Sequence, residues 1–212
     1  LLLNTKGLKF KKVWRTLFVI TIAVPQFVSL LLMRNFLNDH GPLNGLLQTL
    51  HLTNGPIPFL TDPLWAKFSI IFVNMWIGIP FTMLVATGII MNLPTEQIEA
   101  AEIDGASKFQ IFKSITFPQI LLIMAPSLIQ QFIGNINNFN VIYFLTGGGP
   151  TNSEYYQAGS TDLLVTWLYK LTVSAKDYNL ASVIGILIFA ISATFSLLAY
   201  TRSSSFKEGA AK

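Results

Sequence analysis

Six side-chain amides crowd into eleven residues of an otherwise apolar run: Gln130, Gln131, Asn135, Asn137, Asn138 and Asn140. An amide both donates and accepts hydrogen bonds, which is what a hydroxyl-rich solute demands of its site. Polar side chains in an apolar segment belong in the interior of a helix bundle or along a water-filled path. A second apolar run contributes Asn74, Gly78 and Phe81, spaced three or four residues apart and so on one side of a helix. Trp76, Phe81, Phe139 and Tyr143 are the aromatic rings nearest in sequence, and such rings cover the apolar faces of sugars. With no charged side chain among these residues, the chemistry suits a neutral solute better than an ion. The same amides could equally serve as hydrogen-bonded glue between helices.

The elements that would carry these residues are long apolar helices. Of 212 residues, 52% are hydrophobic and 11% charged, against about 25% charged in a soluble domain. Four segments approach the roughly 20 residues a spanning helix needs: residues 13–33, 64–91, 119–145 and 180–200. This predicts an all-α integral membrane protein, a single transmembrane bundle over 1–212. Pro25, Pro80 and Pro126 fall inside three of the spans, where kinks are expected. Gly78, Gly88, Gly134 and Gly185 are expected to permit close helix contact. The chain starts Leu-Leu-Leu-Asn, without Met, which reads as the tail of an earlier apolar segment and so as a fragment lacking N-terminal spans.

Lys6, Lys9, Lys11, Lys12, Arg15, Lys108, Lys113, Arg202, Lys207 and Lys212 all fall on one side of this four-span topology. By the positive-inside rule that side is cytoplasmic. The basic balance is thus explained by topology, and no nucleic acid is expected. Two external connections follow, 35–63 and 146–179. The first holds a Leu-rich stretch, Leu43 to Leu52, expected on the membrane surface or against a neighbour.

Between the second and third spans lies a polar segment, 92–118. Pro94 suits a first helical turn, and Glu96 and Glu99 favour the positive end of the helix dipole. Gly105 is a natural stop, and Ser107 with Gln110 makes a capping box that starts a second helix. Phe117-Pro118 is expected to end that helix. Ala100, Ala101, Gly105 and Ala106 form a small-residue face with acidic Glu99, Glu102 and Asp104 beside it. Either this is an ordinary loop between spans or it is a docking element.

Glu99-Ala100-Ala101, Asp104-Gly105-Ala106, Ile115 and Phe117-Pro118 closely resemble the "EAA" loop of ABC importer permeases. Gly41-Pro42-Leu43-Asn44, Thr61-Asp62-Pro63, Asn135 to Asn140 and Leu145 to Pro150 are similar to the sugar branch of that family, and Thr161-Asp162-Leu163-Leu164 and Tyr178-Asn179-Leu180-Ala181 are similar to its maltose/maltodextrin (MalF) type. The resemblance covers essentially the whole chain. It implies a multi-pass bacterial inner-membrane permease subunit that forms half of a sugar path. It implies that Glu99, Ala100, Ala101, Asp104, Gly105 and Ala106 couple to a separate ATPase subunit. It implies a path lined by Asn74, Gly78, Phe81, Gln131, Asn135, Asn138 and Asn140. Further implied partners are a second permease subunit, an extracytoplasmic solute-binding protein and the lipid bilayer. Phe81, Gln131, Gly134 and Asn140 depart in type from the maltose-specific pattern, so a different neutral solute or oligosaccharide is the alternative.

No GxxxxGK[ST] phosphate loop is present, so neither a cofactor nor an ATPase site of its own is expected. The absence of cysteine excludes thiolate chemistry. An intramembrane enzyme or an ion-coupled carrier would need ionisable residues within the spans. The spans contain no acidic residue and no histidine.

Overall fold

The computed structural model describes residues 22–202, together with Val13 and Thr16. Among the described residues the fold is helical, with one isolated bridge, Thr151 to Gly159, as its β pairing. The helices are α1 (Gln26–Phe36), α2 (Pro42–Thr49), α3 (Pro63–Met91), α4 (Glu96–Ile103), α5 (Lys108–Ile111), α6 (Phe117–Ile136), α7 (Phe139–Leu145), α8 (Leu164–Lys170) and α9 (Tyr178–Arg202). Three stretches are long and apolar enough to cross a membrane: Pro63–Met91, Lys108–Ile136 and Tyr178–Thr201. At most 22% of each spanning window is buried within the chain. These helices therefore turn most of their apolar surface outward, as helices do when lipid or another subunit covers them.

Much of the first expected span, 13–33, lies outside the described residues. Its described part breaks at Pro25 rather than bending there. Pro25 has extended backbone (φ −54°, ψ 132°) and α1 starts afresh at Gln26. Pro80 and Pro126 do stay inside their helices.

The third apolar segment is also built differently from the expectation. Helix α5 does not stop at Phe117-Pro118. It runs through a π turn, Phe112–Thr116, straight into α6. Pro118 offers no N–H and its ring presses on the carbonyl four residues back. A wider turn placed just before it lets the helix continue. At the other end α6 stops at Ile136, and a separate helix begins at Phe139 with Asn138 as its cap. Asparagine is a poor helix-interior residue and a strong cap, and three of the four residues 135–138 are asparagine.

A buried cluster of Leu30, Leu37, Val73, Val141 and Leu145 ties α1, α3 and α7 together. A second, Leu171, Ala181 and Ile184, ties the end of α8 to α9. Of the four glycines expected at close helix contacts, only Gly185 has a tight neighbour: a Cβ placed there would lie 3.3 Å from Leu168 Cδ1. Gly78, Gly88 and Gly134 face open space within the chain.

The connection after α7 is a closed loop. Gly148 has left-handed backbone (φ +83°), and a Cβ there would overlap the Asp162 carboxylate. Asp162, its side chain 2% exposed, accepts from Gly159 N (2.7 Å) and from Lys170 Nζ (2.6 Å). Removing one partner of a buried pair strands the other charge, at about 3–5 kcal/mol. Lys170→Met is expected to lower the thermal unfolding midpoint of the assembled protein markedly. Substitution of exposed Glu154 should leave that midpoint unchanged.

Candidate functional site

Asn74, about three turns into α3, is the centre of the amide cluster. Its Nδ2 donates to Asn135 Oδ1 at 2.8 Å, and its Oδ1 accepts from Asn138 Nδ2 at 2.9 Å. Asn138 Oδ1 in turn accepts from Val141 N at 3.2 Å, capping α7. The three asparagines thus meet across α3, the end of α6 and the start of α7. Asn135 and Asn138 do not share one continuous helical face, because the helix breaks between them; Asn74 bridges that break.

Two helical turns further along α3, Thr82 Oγ1 donates to Gln131 Oε1 at 2.9 Å. Gln131 Nε2 is buried without a hydrogen-bond partner in the chain. A buried donor without a partner costs about 1–3 kcal/mol, a cost shared among the described residues by Thr53 Oγ1 and Asp162 Oδ1. Asn74, Gly78, Phe81, Thr82, Gln131, Gly134 and Asn135 all line one open groove of about 620 Å³. That lies within the roughly 300–1,000 Å³ typical of ligand sites. Among the described residues, no ionisable side chain lines it.

Two of the polar residues in the run behave differently. Asn140 Nδ2 donates to Gln26 Oε1 at 3.2 Å, joining α7 to α1 beside a smaller cavity that Gln26 lines with Phe81. Asn137 Nδ2 donates to Ser192 Oγ at 3.0 Å and acts as glue between α6 and α9. Of the aromatic rings, Phe81 lines the groove, and it also borders a smaller cavity with Trp76. Phe139 and Tyr143 stack on each other with ring centres 4.9 Å apart, and Tyr169 meets both edge-on. Thr82 is not singled out by the sequence pattern, although it continues the series Asn74, Gly78 at intervals of four. Thr82→Val keeps the shape and removes the donor. The hydrogen bond it removes is worth about 1 kcal/mol, so a lower thermal unfolding midpoint is expected of this variant.

The polar segment forms the expected helix, turn and helix. Helix α4 begins at Glu96, two residues after Pro94, with Thr95 as an unbonded cap. It has no buried residue. Gly105 closes it with left-handed backbone (φ +79°). Ser107 and Gln110 form the capping box: Ser107 N donates to Gln110 Oε1 at 2.8 Å, and Gln110 N to Ser107 Oγ at 3.4 Å. Two large apolar side chains stand out on this surface, Ile103 at 87% and Phe109 at 69% exposed. Gln119 Nε2 donates to Gln97 Oε1, tying α4 to the base of α6, the helix that carries Gln131 and Asn135. Glu99, Ala100, Ala101, Asp104, Gly105 and Ala106 are thus gathered on one solvent-facing element, joined through α5 and the π turn to the groove.

Residues 2–205 match the family described as binding-protein-dependent transport system inner membrane component. The chain belongs to this family. Among its relatives, the galactooligosaccharides transport system permease protein GanP of Bacillus subtilis (strain 168) is 39% identical over 213 residues, covering 99% of this chain and 50% of GanP. The maltodextrin transport system permease protein MdxF of the same organism is 38% identical over 213 residues, covering 97% of this chain and 49% of MdxF. In three dimensions the chain is similar to a crystal structure of a bacterial ABC transporter involved in import of the acidic polysaccharide alginate. There the TM-score is 0.79 at 25% identity, over 93% of this chain and 66% of that one. The chain spans about half the length of the curated relatives it matches. Membership fits the three helices long and apolar enough to cross a membrane and locates the chain in a bacterial inner membrane.

Proposed function

We propose that this chain is part of the permease subunit of an ATP-driven importer and forms half of the path for a neutral oligosaccharide. The observation that carries the reading is the groove between α3 and α6. Asn74 and Asn135 are hydrogen-bonded there beside the unpartnered Gln131 Nε2, with no charge in the lining. Amides can match hydroxyls in either sense, donor or acceptor, and Phe81 supplies an apolar ring face. A phosphorylated or acidic sugar would call for Arg or Lys in the same lining.

A second permease subunit would supply the other half of the path, and an extracytoplasmic solute-binding protein would deliver the sugar. ATP would be bound and hydrolysed by a separate ATPase subunit, seated on Glu99 to Ala106 with Ile103 and Phe109 in its cleft. The chain itself would carry no catalytic residue. Closure of the ATPase pair would move α4, and through α5 and Gln97–Gln119 it would move α6. The site would then alternate between the two sides as the two states interconvert.

Maltodextrin is the preferred solute on the likeness to the maltose type and to MdxF. A galactooligosaccharide is the second reading, favoured by the name and 39% identity of GanP. The test is sugar-stimulated ATP hydrolysis by the full-length chain with its partner permease, ATPase and binding protein. Stimulation by maltotriose and longer maltodextrins alone supports the first reading. Stimulation by galactooligosaccharides alone supports the second. Stimulation by acidic oligosaccharides alone would overturn the neutral-solute reading.

A further inference from the structure

The structure assigns a lipid contact to α2: we propose that this short helix is an interfacial anchor seated in the outer leaflet of the membrane. At about 100° per residue, Leu43, Leu46, Leu47 and Leu50 share one side of α2, with Gln48 and Gly45 opposite. That apolar stripe is split lengthwise. Leu43 packs on the buried cluster of α1, α3 and α7. Leu46 and Leu50 project past the edge of the protein, 55% and 57% exposed, and Leu52 follows at 67%.

The helix cannot rotate to hide them. Asn44, fully buried, donates to Asn38 O (3.2 Å) and Ile57 O (2.9 Å) and accepts from Ile57 N (2.8 Å). This bonding fixes the angle at which α2 presents its leucines.

Lipid is the occupant because the exposed stripe continues the apolar belt of a membrane-crossing helix. Phe59 packs on the same cluster as Leu43, meets Trp65 edge-on at 5.6 Å, and accepts at its carbonyl from Ser69 Oγ at 2.9 Å. Helix α2 and the first two turns of α3 therefore stand at one level. There Leu64, Trp65 and Phe68 are 63%, 43% and 60% exposed. Tryptophan favours the membrane–water boundary. Between Asp39 and Asp62 the sequence has no Lys, Arg, Asp or Glu, and the one cation in the first two turns of α3, exposed Lys67, has a stem long enough to reach the headgroups. An interfacial helix sits about 5–10 Å into the headgroup–acyl boundary. The anchor would set the depth of α3. Asn74, eleven residues after Pro63, then lies about 17 Å along the helix, near the middle of a hydrocarbon core of roughly 30 Å.

The inference rests on α3 crossing the membrane and not on which solute is carried. The 212 residues contain no cysteine, which makes nitroxide labelling direct. Leu46→Cys, Leu50→Cys and Leu52→Cys would be labelled singly in the full-length chain. The chain would be assembled with cysteine-free partners in phosphatidylcholine–phosphatidylglycerol vesicles. Collision with oxygen and with a water-soluble nickel chelate would then be compared. Labels at 46 and 50 are expected to favour oxygen severalfold over labels at Gly45→Cys and Tyr156→Cys. A ratio equal to that of the Tyr156→Cys label would place the stripe in water and overturn the proposal. A label shielded from both reagents would place it against another subunit, which also overturns it. Position 52 gives the same discrimination if a label within α2 blocks assembly.

Discussion

Asn74→Leu is expected to reduce sugar uptake and sugar-stimulated ATP hydrolysis by one to two orders of magnitude in an otherwise assembled transporter. Leucine branches at Cγ as asparagine does, so α3 keeps a side chain of similar shape at this position. What is lost is the bridge: Asn135 Oδ1 and Asn138 Nδ2 each lose a partner at once. The site also loses an amide that would meet a sugar hydroxyl; if that and the displaced Asn135 and Asn138 amides remove about 2–3 kcal/mol from sugar binding, each 1.4 kcal/mol is tenfold. If the asparagines were merely glue between helices, the thermal midpoint would fall and sugar dependence would be unchanged. Kinetics at varied sugar concentration separate the two. A path residue shifts the sugar response, while a purely structural one lowers the amount of active complex.

The second large effect is expected at Gly105. Its backbone is left-handed (φ +79°), yet a Cβ built there meets nothing within 4 Å. Space is therefore not the obstacle; backbone conformation is. An ordinary L-residue in that region costs about 1–2 kcal/mol, and a β-branched one more. Gly105→Ala should weaken transport modestly. Gly105→Val should break the turn between α4 and α5 and cut uptake at least tenfold, with ATP hydrolysis no longer responsive to sugar. Gly105 does not line the groove that Asn74 and Asn135 share, so sugar binding at the proposed site should be unaffected in binding assays. Normal uptake by Gly105→Val would count heavily against a coupling role for this segment.

The features legible in the sequence are those set by local chemistry. Hydropathy alone delimits Pro63–Met91 and Tyr178–Thr201, because lipid-facing helices need no polar face. The stop at Gly105 and the cap at Ser107–Gln110 follow from backbone sterics and side-chain reach, and both are present. The amide cluster is visible as composition, but its wiring is not. Periodicity assumes an unbroken helix, whereas the run 135–138 interrupts it and sends Asn137 to Ser192 and Asn140 to Gln26. The π turn before Pro118 is hidden for a similar reason. Proline announces a disturbance, but only the surrounding helix decides whether it becomes a break, as at Pro25, or a widened turn, as at Phe112–Thr116. Small residues suggest close helix packing, which Gly185 makes against Leu168, whereas Gly78 and Gly134 line the groove.

The most direct measurement is an electron cryo-microscopy map of the full-length chain with its partner permease, ATPase and sugar-loaded binding protein, trapped before sugar release. Sugar density is expected in the α3–α6 groove, within hydrogen-bond distance of Asn74, Gln131 or Asn135 and beside Phe81, with the ATPase seated on Glu99 to Ala106. Sugar density elsewhere, with that groove filled by lipid or by a partner helix, would contradict the proposed path.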